Sequence, residues 1–378
     1  MAAARAGLDL SMKNDFYGAP MKAAVQSGQL SESVVDRMLI RRFGQMFKLG
    51  LFDNPRTVTP IPANTDGAIA RSIAVQSAVL LKNTGNQLPL KASALKSVAV
   101  IGPYAGAAHT GGSGSSAVKP LDTVTPVNGI KSHVGSNVRV RYNDGSDTTA
   151  AANLARSSDV AIVMVGNKDS EGGDRANLSL TGNQNALISV VAAANPRTVV
   201  VLKTGGPVLM PWLSRAPAVL EAWYPGEEDG NVVADLLFGN ANPSGKLTMS
   251  FPRSEGDTPA RTAVQYPGVN GTVTYSERLQ VGYRWYDAQN VAPLFPFGYG
   301  LSYTSFAFSN LTVKAPPSGS VVVGVDVTNT GRPAQGRRAS RPASATCRAR
   351  WLPGSAPAGR YAGSSPPGLA AAPHRSPP

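Results

Sequence analysis

The chain has 378 residues, 42% of them hydrophobic and 16% charged, enough for two or three globular domains and at least one sizeable core. The net charge of +13 raises nucleic acid as a partner, but residues 333–378 hold seven arginines and no Asp or Glu. Removing those seven from the 36 basic residues leaves 29 against 23 acidic ones, or +6, and no zinc-finger, helix-turn-helix or aromatic–basic strand pattern accompanies the excess, so a nucleic-acid partner is not expected. One cysteine, Cys347, excludes an internal disulfide, and no run of eighteen apolar residues offers a membrane span.

The start, MAAARAGLDLSMKNDF, has no apolar run before Asp9 and makes a poor signal peptide. Residues 1–52 read as mostly helical. In SESVVDRMLIRRFGQMFKLG (31–50), Val34, Met38, Ile40, Phe43, Met46 and Phe47 recur at helical spacing; Ser31 or Ser33 is placed to cap the helix and Gly50 to end it. Residues 53–65, rich in Pro and Asn, form a linker. A helix is expected over DGAIARSIAVQSAVLLKN (66–83). Three β-branched runs come next, LKSVAVIGPYAG (95–106), DVAIVMVGN (159–167) and RTVVVLKTGG (197–206), with an amphipathic helix at 180–195 between the last two. PAVLEAWYPG (217–226) precedes a further helix within 227–240. Continuous apolar strands alternating with helices predict an α/β fold, a parallel-rich sheet covered by helices on both faces, whose ligands sit beyond the carboxyl ends of the strands. Three polar or glycine-rich loops leave those ends, at 102–118, 166–179 and 224–230.

Residues 251–305 hold few regular elements and many aromatics, as expected of a segment that wraps along a domain. Residues 306–330 alternate like β-sandwich strands, with a turn at Asn329-Thr330-Gly331. From residue 333 to the end there is no strand period and there are nine prolines, and this tail reads as disordered.

Glycoside hydrolysis commonly uses two carboxyl groups. Glu171 is the best acid candidate, because it lies just past a buried strand and is followed by Gly172 and Gly173, which allow a ligand to approach the backbone. Asp169 and Asp174 are near, and like charges with partial burial are expected to raise one of these pKa values. The competing reading is a solvated acidic turn. Arg175 is placed to pair with Asp174 or to sit in water. Trp212, Trp223, Tyr224, Trp285 and Tyr286 are candidates to stack on sugar faces, although packing is the commoner role. His109 and His133 stand alone, with no partners at metal-ligand spacing, so no metal site is expected. Neither GxxxxGK[ST] nor a GxGxxG turn is present, and no cofactor is expected.

The motifs AGLDLSM (6–12), LGLFDNP (49–55), ARSIAVQSAVLLKNTGNQLPL (70–90), SEGGDRANLSLTGNQNALI (170–188), VLKTGGPVLMPWL (201–213), EAWYPGEEDGNVVADLLFGNANPSGKLTMSFP (221–252) and PLFPFGYGLSYTSF (293–306) stand in one order. Together they resemble the family 3 glycoside hydrolases, especially bacterial β-glucosidases, over roughly residues 6–331. The resemblance implies an N-terminal (β/α)8 barrel with an Asp nucleophile, an α/β sandwich with the general acid/base, and a fibronectin type III-like domain. On that basis residues 1–52 are the end of the barrel and 53–65 the linker. Residues 66–250 are the sandwich, 251–305 the wrapping segment, 306–336 a truncated type III-like domain and 337–378 the tail. The nucleophile motif is matched nowhere in this sequence; neither Asp9 nor Asp15 fits it. The acid/base maps to Glu171 in Ser170-Glu171-Gly172-Gly173-Asp174-Arg175, where Gly173 replaces the family's aromatic. Gly112, Ser113 and Ser115 resemble the loop that leans over the barrel mouth and, with Asp174 and Arg175, are expected to bind substrate.

The expected reaction is retaining hydrolysis of terminal β-D-glucosyl or related residues from a β-linked oligosaccharide or an aryl or alkyl β-glucoside, with this chain inactive on its own. The rival expectation is a non-catalytic sugar-binding or structural module. A flavodoxin-like cofactor protein would need a phosphate-binding turn that the sequence lacks.

Overall fold

A computed structural model describes residues 1–12, 17–54, 57–314 and 321–331, together with the backbone of 344–351. The chain divides into two compact units, Met1–Pro62 and Ala63–Pro378. The first holds α1 (Ala2–Arg5), α2 (Ala19–Gln26) and α3 (Glu32–Lys48). Ser31 caps α3 by accepting the Ser33 amide, and Gly50, at φ +64°, lies just past its end. There the Gly50 amide donates to Phe47 O and the Leu51 amide to Met46 O, closing the last carbonyls. Ala4, Met21, Ala24, Leu30 and Met38 make a small core, whereas Ile40, Phe43 and Phe47 on α3 are exposed.

The second unit begins with α4 (Ala63–Ser77), so the linker expected over 53–65 overlaps this helix at its end. Next come β1 (Val79–Asn83), β2 (Ser97–Ile101), α5 (Pro126–Val134), β3 (Arg139–Asn143), α6 (Thr148–Arg156) and β4 (Val160–Gly166). After these lie α7 (Gln184–Ala194), β5 (Thr198–Lys203), β6 (Ala218–Glu221), α8 (Asp229–Phe238) and α9 (Tyr283–Gln289). The sheet order is β1-β6-β5-β4-β2-β3. All neighbours are parallel except β1, which runs antiparallel to β6. The helix expected through residue 83 therefore stops at Ser77, and VLLKN is an edge strand registered on Val79↔Glu221 and Leu80↔Leu220. A short apolar run has no period that separates helix from buried strand. The other edge, β3, reads RVRYN; its arginines interrupt the apolar run that marked the other strands and suit an edge.

The alternation of strand side chains splits the core in two. On one face Leu80, Val98, Val100, Ile162, Met164, Val199, Val201 and Leu220 pack with Ala74 of α4, Ile130 of α5 and Val233 and Leu236 of α8. On the other, Leu81, Ala99, Ile101, Val163, Val165, Val200 and Leu202 pack with Ala151 of α6, Leu187 and Val191 of α7, and Trp212, Phe251 and Phe295. The mixed sheet with helices on both faces is thus an α/β sandwich. The segment 251–305 contributes Phe251 and Phe295, which bridge to each other, and its only regular helix among the described residues is α9.

A second, antiparallel sheet holds β7 (Phe306–Lys314), β8 (Val321–Asn329) and β9 (Ser344–Trp351). The turn after β8 forms around Asn329, whose side-chain oxygen accepts the Gly331 amide at 3.1 Å. β9 falls in the tail expected to be disordered, and that part of the expectation is corrected. Its sequence, SATCRARW, alternates with the period of two that a strand paired to β8 requires, but is short and sits among prolines. The rest of 337–378 lies outside the described residues. Among the described residues no helix is long and apolar enough to cross a membrane.

Glu221, at the end of β6, is fully buried. The single proton of the Thr204 hydroxyl faces two acceptors, Gly206 O and Glu221 Oε2, both at 2.9 Å. A carbonyl only accepts, so a proton on Glu221 completes both bonds. Burial pushes this carboxyl up from 4.5 to about 8, against the pull of hydrogen bonds from Trp223 and Thr204. Between pH 4.5 and about 8 the unfolded chain has lost this proton and the folded chain retains it, so the contribution of Glu221 to stability falls as pH rises through that window and levels off above it. In thermal unfolding of the chain, Glu221→Gln is expected to flatten this decline and to raise the melting temperature near pH 8. An unchanged slope would show that Glu221 folds ionised.

Candidate active site

From β2 the chain moves outward to β3, then returns to place β4 on the opposite side of β2, from where it continues to β5 and β6. Connections therefore diverge between β2 and β4, and an open parallel sheet has its ligand crevice at that point, outside the carboxyl ends of the strands. The loop after β2 carries Gly112, Ser113 and Ser115, and the loop after β4 carries Glu171. The fold brings these two loops together.

They meet through backbone bonds. Ser113 and Ser170 form a parallel bridge, the Ser113 amide donates to Asp169 O at 2.9 Å, and the Glu171 amide reaches Ser113 O at 3.5 Å. Residues 170–173 close a turn in which the Gly173 amide donates to Ser170 O at 3.2 Å. Glu171 sits at its exposed tip, and the Ser115 amide donates to Glu171 Oε2 at 2.8 Å. Gly114 makes the approach possible: it lies at φ +76°, and a Cβ there would stand 2.6 Å from that of Glu171. The expectation of a raised pKa is overturned for Glu171. Its carboxyl is held below the ordinary value by hydrogen bonding from Ser115, and its exposure leaves little desolvation to oppose this.

Beneath the turn the groups are buried. Lys203, the last residue of β5, and Asp229, the first of α8, are both fully buried and pair with Nζ to Oδ1 at 2.6 Å. Asp229 Oδ2 accepts the His109 amide at 2.8 Å. His109 is buried, 3% exposed, and its Nε2 lies 2.9 Å from Asn167 O, which fixes the proton on Nε2. Burial lowers the His109 pKa and keeps the ring neutral. The ring is stacked between Tyr104 at 4.7 Å and Tyr224 at 4.3 Å. The Asp169 amide donates to the Tyr224 hydroxyl at 3.0 Å.

The remaining site residues read from sequence fall elsewhere. Asp174 and Arg175 do not pair with each other. Asp174 Oδ2 accepts the Tyr266 hydroxyl at 2.6 Å, while Arg175 lies 3.4 Å from Asp169 and donates to Pro207 O at 3.2 Å. Trp212, Trp285 and Tyr286 are buried packing residues, and Trp223 is half-buried with its indole donating to Ser77 O at 3.1 Å. No catalytic or ligand-binding pattern in the sequence marks Lys203, Asp229 or the stack on His109. A lysine closing the apolar run TVVVLK was the sign available, since a buried ammonium requires a buried partner.

The family model of the glycosyl hydrolase family 3 C-terminal domain matches residues 78–303. The thermostable β-glucosidase B of Acetivibrio thermocellus is 40% identical over 345 residues, covering 86% of this chain and 45% of that protein. A periplasmic β-glucosidase of Salmonella typhimurium is 33% identical, covering 87% of this chain and 48% of that protein. Among solved structures, the β-glucosidase DesR of Streptomyces venezuelae in complex with D-glucose is similar at a TM-score of 0.81 and 30% identity, covering 93% of this chain and 64% of that one. The chain spans about half the length of the curated relatives it matches. With a sandwich whose crevice loops carry the residues on which the sequence resemblance rested, the chain belongs to glycosyl hydrolase family 3, and residues 78–303 are its C-terminal domain.

Proposed function

We propose that this chain supplies the general acid/base, Glu171, for retaining hydrolysis of terminal β-D-glucosyl or closely related residues, and that the carboxylate nucleophile comes from a barrel encoded outside this sequence. The observation that carries the reading is the exposed carboxylate of Glu171, fixed to the Ser115 amide at the tip of two interlocked crevice loops. Asp169 and Asp174, the nearest carboxylates in sequence, are engaged by Arg175 and Tyr266, which favours Glu171 as the group free to meet substrate. Gly112, Ser113 and Ser115 line the approach, with Asp174 and Arg175 shaping the loop. Residues 1–52 are read as the end of the barrel and residues 306–336, with β7 and β8, as part of a type III-like domain.

In the first step the nucleophile forms a bond to the anomeric carbon as the glycosidic bond breaks, and the Glu171 proton passes to the leaving oxygen. In the second, Glu171 takes a proton from water, the water oxygen bonds to the anomeric carbon, and the glycosyl ester breaks. Two inversions give retention. A facing carboxylate about 5–5.5 Å away would raise the Glu171 pKa by like-charge repulsion and so hold the proton needed in the first step.

In the full-length enzyme containing this sequence, Glu171→Ala is expected to lower kcat/KM on cellobiose by about 10²–10⁴-fold and to spare dinitrophenyl β-glucoside in its first step, with azide restoring turnover as a glycosyl azide of retained configuration. Absence of both the leaving-group selectivity and the azide product would remove Glu171 from this role. The 378-residue chain alone is expected to release nitrophenol from an aryl β-glucoside far more slowly than about 1 s⁻¹, the low end of usual enzymes, because one carboxyl group cannot form the covalent intermediate. Turnover above that rate, abolished by Glu171→Ala, would place a nucleophile within residues 1–378.

A further inference from the structure

A general acid works only within hydrogen-bond reach of the atom it protonates, about 2.6–3.2 Å between heavy atoms. Glu171 rides on an exposed turn, so its placement depends on what holds the base of that turn. Asp169 is held on both sides: its amide donates to the Tyr224 hydroxyl at 3.0 Å, and its carbonyl accepts the Ser113 amide at 2.9 Å. Ser113 belongs to the loop whose Ser115 amide holds the Glu171 carboxylate.

Tyr224 is itself fixed from below. Its ring stacks at 4.3 Å, with 17° between planes, on the buried imidazole of His109. That residue is anchored through its amide to Asp229 and through Nε2 to Asn167 O. The Gly226 amide, two residues after Tyr224, donates to His109 O at 3.1 Å. Gly205 packs closely against both residues: a Cβ there would stand 2.6 Å from Asp169 Oδ2 and 2.7 Å from the Tyr224 hydroxyl.

We infer that Tyr224 is a positioning residue for the acid/base: its hydroxyl, fixed on the His109 stack, receives the Asp169 amide and so sets the height of the turn that presents Glu171. This inference rests on the reading of Glu171 as the acid/base. Tyr224 takes no part in proton transfer. Phenylalanine in its place preserves the stacked ring and leaves the Asp169 amide without its acceptor.

The role has a kinetic signature that general loosening of the fold would lack. Proton donation matters when the leaving group is a poor one and hardly at all when it is dinitrophenolate. In the full-length enzyme containing this sequence, Tyr224→Phe is expected to reduce kcat/KM by about 10–100-fold on an alkyl β-glucoside, the scale of an ångström misplacement, and by less than about threefold on dinitrophenyl β-glucoside. Glu171→Gln run in parallel is expected to show the same selectivity more strongly. If Glu171→Gln is selective and Tyr224→Phe is not, the positioning role is overturned alone. If Glu171→Gln is not selective, the acid/base reading falls and the inference with it. In the 378-residue chain, Tyr224→Phe is expected to accelerate amide hydrogen exchange at Asp169, Ser113 and Ser115 and leave the β4 amides protected; unchanged exchange at Asp169 would contradict the role.

Discussion

A lysine and an aspartate buried together organise the crevice end of the sandwich. Lys203 closes β5 and Asp229 opens α8, and neither retains contact with solvent. Burial pulls the Lys203 pKa down, while Asp229 pulls it back up. Removing one member of such a pair costs about 3–5 kcal/mol, because the other is left charged and dry. The pair must therefore be fully hydrogen bonded, and the sequence meets that demand with Tyr104 O and the His109 amide, both from the loop after β2. A strand, a helix and a loop are thereby drawn to one point.

Contacts leading outward from that point place the loop that carries Glu171. His109 cannot shift without stripping Asp229 of a hydrogen-bond donor, and Tyr224 cannot shift without leaving the His109 face. Asp169 hangs from Tyr224, and Glu171 is two residues on. This chain of contacts runs from a fully buried ion pair to a fully exposed carboxylate, so rigidity is inherited by a group that has no packing of its own. The same exposure explains why the sandwich does not raise the Glu171 pKa. Its hydrogen bond to Ser115 favours the ionised form, and no apolar wall opposes it. The domain fixes where the Glu171 carboxylate stands; on the proposed reading, the facing carboxylate determines when it holds a proton.

Much of this was legible in the sequence. VAIVMVG and TVVVLK announced central parallel strands because residues buried on both faces must be continuously apolar. Glu171 stood out because it lies just past such a strand and before two glycines, but those residues fit a solvated acidic turn equally well, and its assignment rests on the resemblance carried by SEGGDR. Legibility failed where a residue's role depends on a distant partner. VLLKN became an antiparallel edge strand only because β6 was beside it. His109 appeared isolated because the partners of its ring and amide, at 104, 167, 224 and 229, converge only through the fold. Asp174 and Arg175, adjacent and opposite in charge, suggested a pair, yet each found a better-placed partner across the loop in Tyr266 and Asp169.

The division between position and proton affinity is most directly tested by titrating the Glu171 side chain in the 378-residue chain by carboxyl ¹³C NMR, with Glu171→Gln to assign the resonance. The expected midpoint lies below 4.5, the ordinary glutamate value, from which the Ser115 bond lowers it. A midpoint above that value would show that the sandwich alone raises the proton affinity of Glu171 and would contradict the division.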